Sequence, residues 1–248
     1  MTRGLVILSG GQDSTTCLFW AKRYFSEVHA ITFDYGQRHS REIGAARTVA
    51  KLAGVASHEV VAIGPILKSH SPLTDFKKPL EQYTSFEQMD AIIGDRIELT
   101  FVPMRNALFL VLAANRAVCL ECHDLVTGVC EADNANYPDC REIFILTMQR
   151  SINDALGSSN FRIHAPLLHL PKADSIKLAL KLPGCYEALA FTHTAYDGSY
   201  PPTGRDHATV LRAHGFEEAG VSDPLIVRAW REGLMKLPDT HNYDAYRE

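Results

Sequence analysis

Gly4-Leu5-Val6-Ile7-Leu8-Ser9-Gly10-Gly11-Gln12-Asp13-Ser14-Thr15-Thr16-Cys17-Leu18 is the stretch that decides the fold. Leu5 to Leu8 is a short apolar run, which predicts a buried strand. Gly10 and Gly11 let the chain turn tightly and bare its N–H groups. Asp13, Ser14 and Thr15 open a helix that runs on through Trp20 and Tyr24. A helix N-terminus with bare N–H groups is a site for phosphate. Ser9, Ser14 and Thr15 add hydroxyls, and Asp13 offers a carboxylate for a magnesium ion. No lysine follows the glycines, so the loop is not of the G-x-x-x-x-G-K-[ST] type. The third glycine of the dinucleotide fingerprint is also missing.

Outward from this unit, strand and helix patterns alternate, as in a parallel sheet covered on both faces. Strands are predicted at Val28 to Phe33, His58 to Ile63, Leu125 to Val129 and Phe161 to His164. Helices are predicted at Arg41 to Leu52, Asn106 to Leu120, Asp139 to Leu156 and Lys172 to Leu182, with two more between Pro202 and Leu237. The expectation is a doubly wound, mostly parallel five-stranded α/β domain over residues 1–190. A small helical region over 191–248 packs on it. Residues 64–99, with Pro65, Pro72 and Pro79, are irregular and too long for a plain connection. They read as a lid or partner loop.

Composition narrows the function. The 248 residues are 46% hydrophobic with a net charge of −4, which argues against a general nucleic-acid footprint. No apolar stretch reaches membrane-spanning length. The chain starts on a core strand rather than a signal peptide. Six scattered cysteines fit no secreted framework, so cytoplasmic free thiols are expected. Cys119 and Cys122 form a C-x2-C pair without a second pair near it, which is weak evidence for zinc.

Four polar strings each follow a predicted strand or open a helix, where open α/β sheets bind ligands. They are Asp34-Tyr35-Gly36-Gln37-Arg38-His39, Pro103-Met104-Arg105-Asn106, the pair Thr127 to Asp133 with Tyr137 to Arg141, and Pro166 to Lys172. Arg105 suits a bidentate clamp on phosphate or carboxylate. Glu131, Asp133, Asp139 and Arg141 form a dense polar set, with Tyr137 available to stack on a planar ring. Carboxylates accept from two donors at once, which matches the edge of a guanine-like heterocycle. Lys172 is placed to reach phosphates. Cys130 and Cys140 read as packing residues rather than nucleophiles.

The first loop resembles the PP-loop of ATP pyrophosphatases, which cleave ATP to AMP and pyrophosphate. The chain as a whole resembles the 7-cyano-7-deazaguanine synthase family. The likeness runs in order through Ser9–Leu18, Phe33–His39, Val102–Asn106, Thr127–Asp133, Tyr137–Arg141 and Pro166–Asp174. It implies small-molecule substrates, 7-carboxy-7-deazaguanine and ammonia, with ATP and Mg2+ and no nucleic acid or membrane. It also implies a cytoplasmic homodimer. ATP would adenylate the carboxylate and ammonia would give the amide; a second ATP would activate the amide oxygen, and loss of AMP would leave the nitrile. Carried over residue by residue, Leu8, Ser9, Gly10, Gly11, Gln12, Asp13, Ser14, Thr15, Thr16, Cys17, Leu18, Gln37, Arg38 and His39 would hold ATP. Asp34, Tyr35, Asn106, Glu131, Asp133, Tyr137, Pro138, Asp139 and Arg141 would frame the base. Asp13, Arg105 and Lys172 would serve catalysis. A carboxylate is a poor electrophile, and adenylation supplies its leaving group, so the work is positioning and charge stabilisation. No acid–base pair with a tuned pKa stands out.

The family carries four zinc cysteines near its C-terminus. Anchored on Thr194-x-Tyr196-x-Gly198 and Leu211-Arg212-Ala213-x-Gly215, those positions fall on Ala195, Thr203, Asp206 and Thr209. Structural zinc takes four nitrogen or sulfur ligands, and these side chains supply none. Zinc is therefore not expected. Cys185, His193, Asp206, His207 and His214 are the residues from which a substitute site would have to be built. A changed tail leaves two enzymatic readings open: a nitrile-forming synthase, or a paralogue joining the adenylated carboxylate to another amine. A non-enzymatic nucleotide sensor or scaffold is the third, and it has no need for both intact loops.

Overall fold

The computed structural model describes residues 2–38, 41–132 and 135–247. Five strands, β1 (Arg3–Ile7), β2 (Glu27–Asp34), β3 (Ser57–Ala62), β4 (Asp124–Val126) and β5 (Arg162–His164), form one sheet in the order β3-β2-β1-β4-β5. Every pairing is parallel. The register sets Val6 beside Ala30 on one side and Val126 on the other. These central side chains are buried, as the unbroken apolar runs require.

Helices cover both faces. One face carries α1 (Gln12–Tyr24), α2 (Arg41–Ala53), α6 (Lys172–Lys181) and α7 (Cys185–Ala188). Cys17, Leu18, Ala46, Val49, Ile176 and Leu189 pack there against Val6 and Val126. The other face carries α4 (Arg105–Cys119) and α5 (Glu142–Leu156), whose Leu110, Ala113, Ile145 and Ile152 meet Leu5, Ile31 and Leu125. The chain winds outward from β1 to β3, returns, and continues from β4 to β5. The winding direction therefore reverses between β1 and β4. Ligands in open α/β sheets lie outside the carboxyl ends of the strands at such a switch point.

The predicted strands and helices are present with shifted ends. The helix expected from Asp139 is split into a 3-10 turn at Pro138–Cys140 and α5 from Glu142, because Arg141 is extended (φ −81°, ψ 150°). Residues 64–99 are not wholly irregular. They contain α3 (Phe86–Ile93), capped by Ser85 Oγ, which accepts from Gln88 N. Tyr83, Met89 and Ile93 pack on Val210 and Leu211 of α8 (His207–Glu218). The stretch is thus held against α8, and α9 (Pro224–Arg231) follows it in the chain. Gly215 of α8 sits where a Cβ would lie 2.4 Å from Lys172 Cγ, so only glycine lets α8 approach α6 this closely. No helix among the described residues is long and apolar enough to cross a membrane.

Candidate active site

The loop between β1 and α1 lies at the switch point. Gly10 has φ +91°, and a Cβ there would stand 2.3 Å from the Glu42 carbonyl oxygen. The glycine thus lets the loop press on the start of α2. Ser14 Oγ accepts from Ser9 N at 3.2 Å and lies 3.0 Å from Ser9 Oγ. Gly11 N donates to Ser9 Oγ at 3.3 Å. Gly128, just past β4, is pressed against the other flank, where a Cβ would lie 2.9 Å from Ser14 N. Lys172 Nζ, at the start of α6, donates to both Asp13 oxygens at 2.9 and 3.0 Å. Backbone N–H groups, hydroxyls and an ammonium therefore converge, the donor set that a polyphosphate needs.

The loop opens into a cavity of about 310 Å³. From the predicted set, Leu8, Ser9, Gly11, Gln12, Asp13, Ser14, Tyr35, Gln37, Arg38, Arg105, Asn106, Tyr137 and Lys172 line it. Thr15, Thr16, Cys17 and Leu18 do not; they are buried inside the domain, the last two in the core beneath α1. Asp34 accepts from Gly36 N and shapes the turn after β2. Asp139 is buried and accepts from Asn106 N at 3.3 Å, which ties the 3-10 turn to the start of α4. Neither Asp34, Pro138 nor Asp139 faces the cavity. Glu131 and Arg141 are exposed, and Glu131 accepts from Glu142 N at the head of α5. His39 and Asp133 lie outside the described residues. Cys130 and Cys140 both line the cavity.

Arg105 is the electrostatic centre of the far wall. Burial works against its charge, and the Tyr35, Tyr137 and Tyr196 hydroxyls around it outweigh that and hold it protonated. Burial pushes the Tyr35 and Tyr137 hydroxyls up, so they stay neutral donors. Tyr137 OH donates to Glu98 Oε2 at 3.2 Å, and Glu98 also accepts from Thr100 N at 2.6 Å. This buried network fixes the Tyr137 ring. Arg38, which lines the cavity, donates to the Pro72 and Lys78 carbonyls at 3.2 and 3.1 Å. Residues 64–99 thereby help place a cavity residue.

Sequence reasoning did not place Glu42, Glu98, Thr194, Tyr196 or Arg212 at the site, and it named His193 only toward a substitute metal site. All but Glu98 line the cavity. Thr194, Tyr196 and Arg212 served only as alignment anchors. Glu42 sits in the first turn of α2, right after the string Asp34 to His39. Burial raises the Glu42 carboxyl to about 7 against the opposing charge of Arg105, a single tuned acid that sequence reasoning did not single out.

The C-terminal positions are joined by hydrogen bonds. Asp206 Oδ1 accepts from Thr209 N at 3.0 Å and Thr209 Oγ1 donates to Asp206 O, which caps α8. Ala195 and Thr203 offer no metal donor, so the four positions do not fit tetrahedral zinc. The other side chains are engaged elsewhere: Cys185 is buried in the core, His193 Nε2 lies 2.9 Å from Ala195 O, and His214 stacks on Phe86 at 3.7 Å. The region is organised by Arg212. Its guanidinium donates to Asp223 at 2.6 and 2.8 Å, to Thr192 and Thr194 at 2.8 Å, and to Leu189 O at 3.2 Å.

The family model described as queuosine biosynthesis protein QueC matches residues 3–220. A 7-cyano-7-deazaguanine synthase from Gloeobacter violaceus is 49% identical over 229 residues, covering 91% of this chain and 96% of that protein. One from Laribacter hongkongensis is 46% identical, covering 90% and 94%. Among solved structures, a 4-thiouridine synthetase–RNA complex with bound ATP gives a TM-score of 0.44 at 13% identity, covering 94% of this chain and 53% of that one.

Proposed function

This chain belongs to the queuosine biosynthesis protein QueC family, and from that premise we propose that it converts 7-carboxy-7-deazaguanine to 7-cyano-7-deazaguanine with ATP and ammonia. One observation carries the reading on the structural side. The phosphate-type loop and the Arg105–Tyr137 wall open into the same cavity at the switch point of the sheet. A nucleotide and a planar carboxylate held on these two walls meet between them.

Ser9, Gly11 and Ser14 hold the ATP phosphates with N–H and hydroxyl donors. Lys172 stabilises the charge that builds on departing pyrophosphate. Of the cavity carboxylates, Asp13 on the phosphate-type loop would hold Mg2+, which takes one or two carboxylates together with phosphate oxygens and would supply charge neutralisation there. Arg105, with its ring of neutral tyrosine hydroxyls, receives the substrate carboxylate. Tyr137 stacks on the deazaguanine ring. Both stages use the same positions, because the amide oxygen of the second stage replaces a carboxylate oxygen of the first. The reading with another amine as acceptor has no observation in its favour, since the relatives carry the synthase name over nearly the whole chain.

The test is direct. Purified protein is incubated with ATP, Mg2+, ammonium and 7-carboxy-7-deazaguanine, and the base is followed by mass spectrometry. The expected result is the nitrile, with two AMP formed per nitrile. Accumulation of adenylate without amide or nitrile would overturn the reading and turn attention to a different amine.

A further inference from the structure

Nitrile formation from the amide needs a proton acceptor, and the roles given above supply none. The O-adenylylated amide loses two N–H protons as the C–N triple bond forms and the C–O bond to AMP breaks. The first leaves a cationic species that is strongly acidic, and it passes to water. The second sits on a neutral imidate nitrogen, is far less acidic, and must leave as AMP departs.

We propose that Glu42 is the catalytic base that accepts this second proton. Two carboxylates line the cavity among the described residues, Asp13 and Glu42. Asp13 is committed to Lys172. The Glu42 side chain is half-buried and makes no hydrogen bond or ion pair with the described residues. Its position is fixed from behind, since its own carbonyl abuts Gly10 of the phosphate-type loop. Its carboxyl feels Arg105 of α4 across the cavity, and Tyr35 at the end of β2 feels Glu42 in turn. Glu42 therefore lines the cavity next to the loop proposed for phosphates and within electrostatic reach of the wall proposed for the base. The bond joining α-phosphate to substrate oxygen must lie between that loop and that wall. Burial holds the carboxyl at about 7, where a base is at once substantially ionised and basic enough to take a proton. In the step itself the nitrogen–hydrogen electron pair becomes the third C–N bond. The C–O pair leaves with AMP, and the proton ends on the Glu42 carboxylate, to be shed to water before the next cycle.

This inference rests on the nitrile-forming reading, and the experiment separates the two. Wild-type protein and Glu42→Gln are given the amide with ATP and Mg2+, and separately the acid with ammonium as well. Amide and nitrile are quantified together. Wild-type protein that makes no nitrile from either start defeats the underlying reading. With wild type active, Glu42→Gln is expected to shift the nitrile-to-amide ratio about 100-fold toward amide. Glu42→Asp, which keeps the charge at shorter reach, should recover part of it. An unshifted ratio, whatever the overall rate, overturns the proposal, because loss of mere positioning slows both stages alike. Should Glu42→Gln fail to fold, Glu42→Asp alone decides by the same ratio.

Discussion

Around one cavity, residues 9–14 present backbone N–H groups and hydroxyls, whereas residues 192–223 are fixed by a buried guanidinium. The first region is held by local geometry: a positive-φ glycine, a serine pair and a helix start, all within six residues. The second is held by a long-range ion pair, Arg212 to Asp223, with both side chains almost fully buried. Local geometry survives sequence change as long as the short string survives. The four C-terminal positions that do not fit zinc lie in the segment that this pair closes, residues 192–223. The contrast teaches that the chemistry-bearing wall and the supporting wall are under different physical constraints although they share one pocket.

Arg212→Met removes the buried pair. It leaves Asp223 charged and buried without its partner, which costs about 3–5 kcal/mol. Thermal or urea unfolding should show a loss of that size. The double variant Arg212→Met, Asp223→Leu should recover much of it, because the uncompensated charge is gone. If the single variant is as stable as wild type, the pair is not what holds this region.

Lys172→Met tests the other wall. The side chain donates to Asp13 and lies at the phosphate-type loop. Asp13 is partly open to solvent, so stability should change little. AMP formation should fall about 10²–10³-fold, worth about 3–4 kcal/mol of transition-state stabilisation. A large stability loss with retained turnover would mean that Lys172 is a structural residue like Arg212.

What the sequence displayed of these walls follows the same division. The strand, glycine turn and helix at residues 5–18 were legible because each signal lies within a few residues of the next. The five parallel strands were legible from apolar runs alternating with helical periodicity. Thr15 to Leu18 looked like loop partners because they adjoin the loop in sequence, but a helix that starts at Gln12 turns them into the interior. Glu131 had the right chemistry for a base edge, and its carboxylate instead serves the N-terminus of α5. Glu42 carried no signal in the sequence; only folding brings it to the cavity within electrostatic reach of Arg105. Arg212 entered the sequence reading only as part of an anchor, since nothing near it announces Asp223 eleven residues on.

A smaller effect on the C-terminal region is read through pH. Burial raises the Asp206 carboxyl from its ordinary 3.8 to about 6, with hydrogen bonds from Thr209 pulling the other way. Its Oδ2 is buried without a hydrogen-bond partner among the described residues. The folded state therefore holds this proton more tightly than the unfolded chain does. The resulting stabilisation is present in full below pH 4 and is lost as pH rises through about 6, at most about 3 kcal/mol. Asp206→Asn keeps the cap acceptor for Thr209 N. It should flatten the fall in stability between pH 4 and 6, measured by urea unfolding across that range. An unchanged slope would mean that another group titrates there.

The smallest expected effect is the response to a chelator. A tail built on zinc would lose about 10 kcal/mol or more of binding energy when the metal is stripped, and its unfolding midpoint would collapse. A tail built on Arg212–Asp223 and the Asp206 cap has nothing for the chelator to take. Prolonged dialysis against EDTA should leave the thermal midpoint within a degree or so, because one kcal/mol moves the midpoint of a domain of this size by about 2–4 °C. Inductively coupled plasma analysis before dialysis should find zinc well below one equivalent per chain. A stoichiometric zinc with a midpoint that falls on its removal would show that the two walls are not divided in this way, and that metal rather than the buried pair sets the C-terminal side of the cavity.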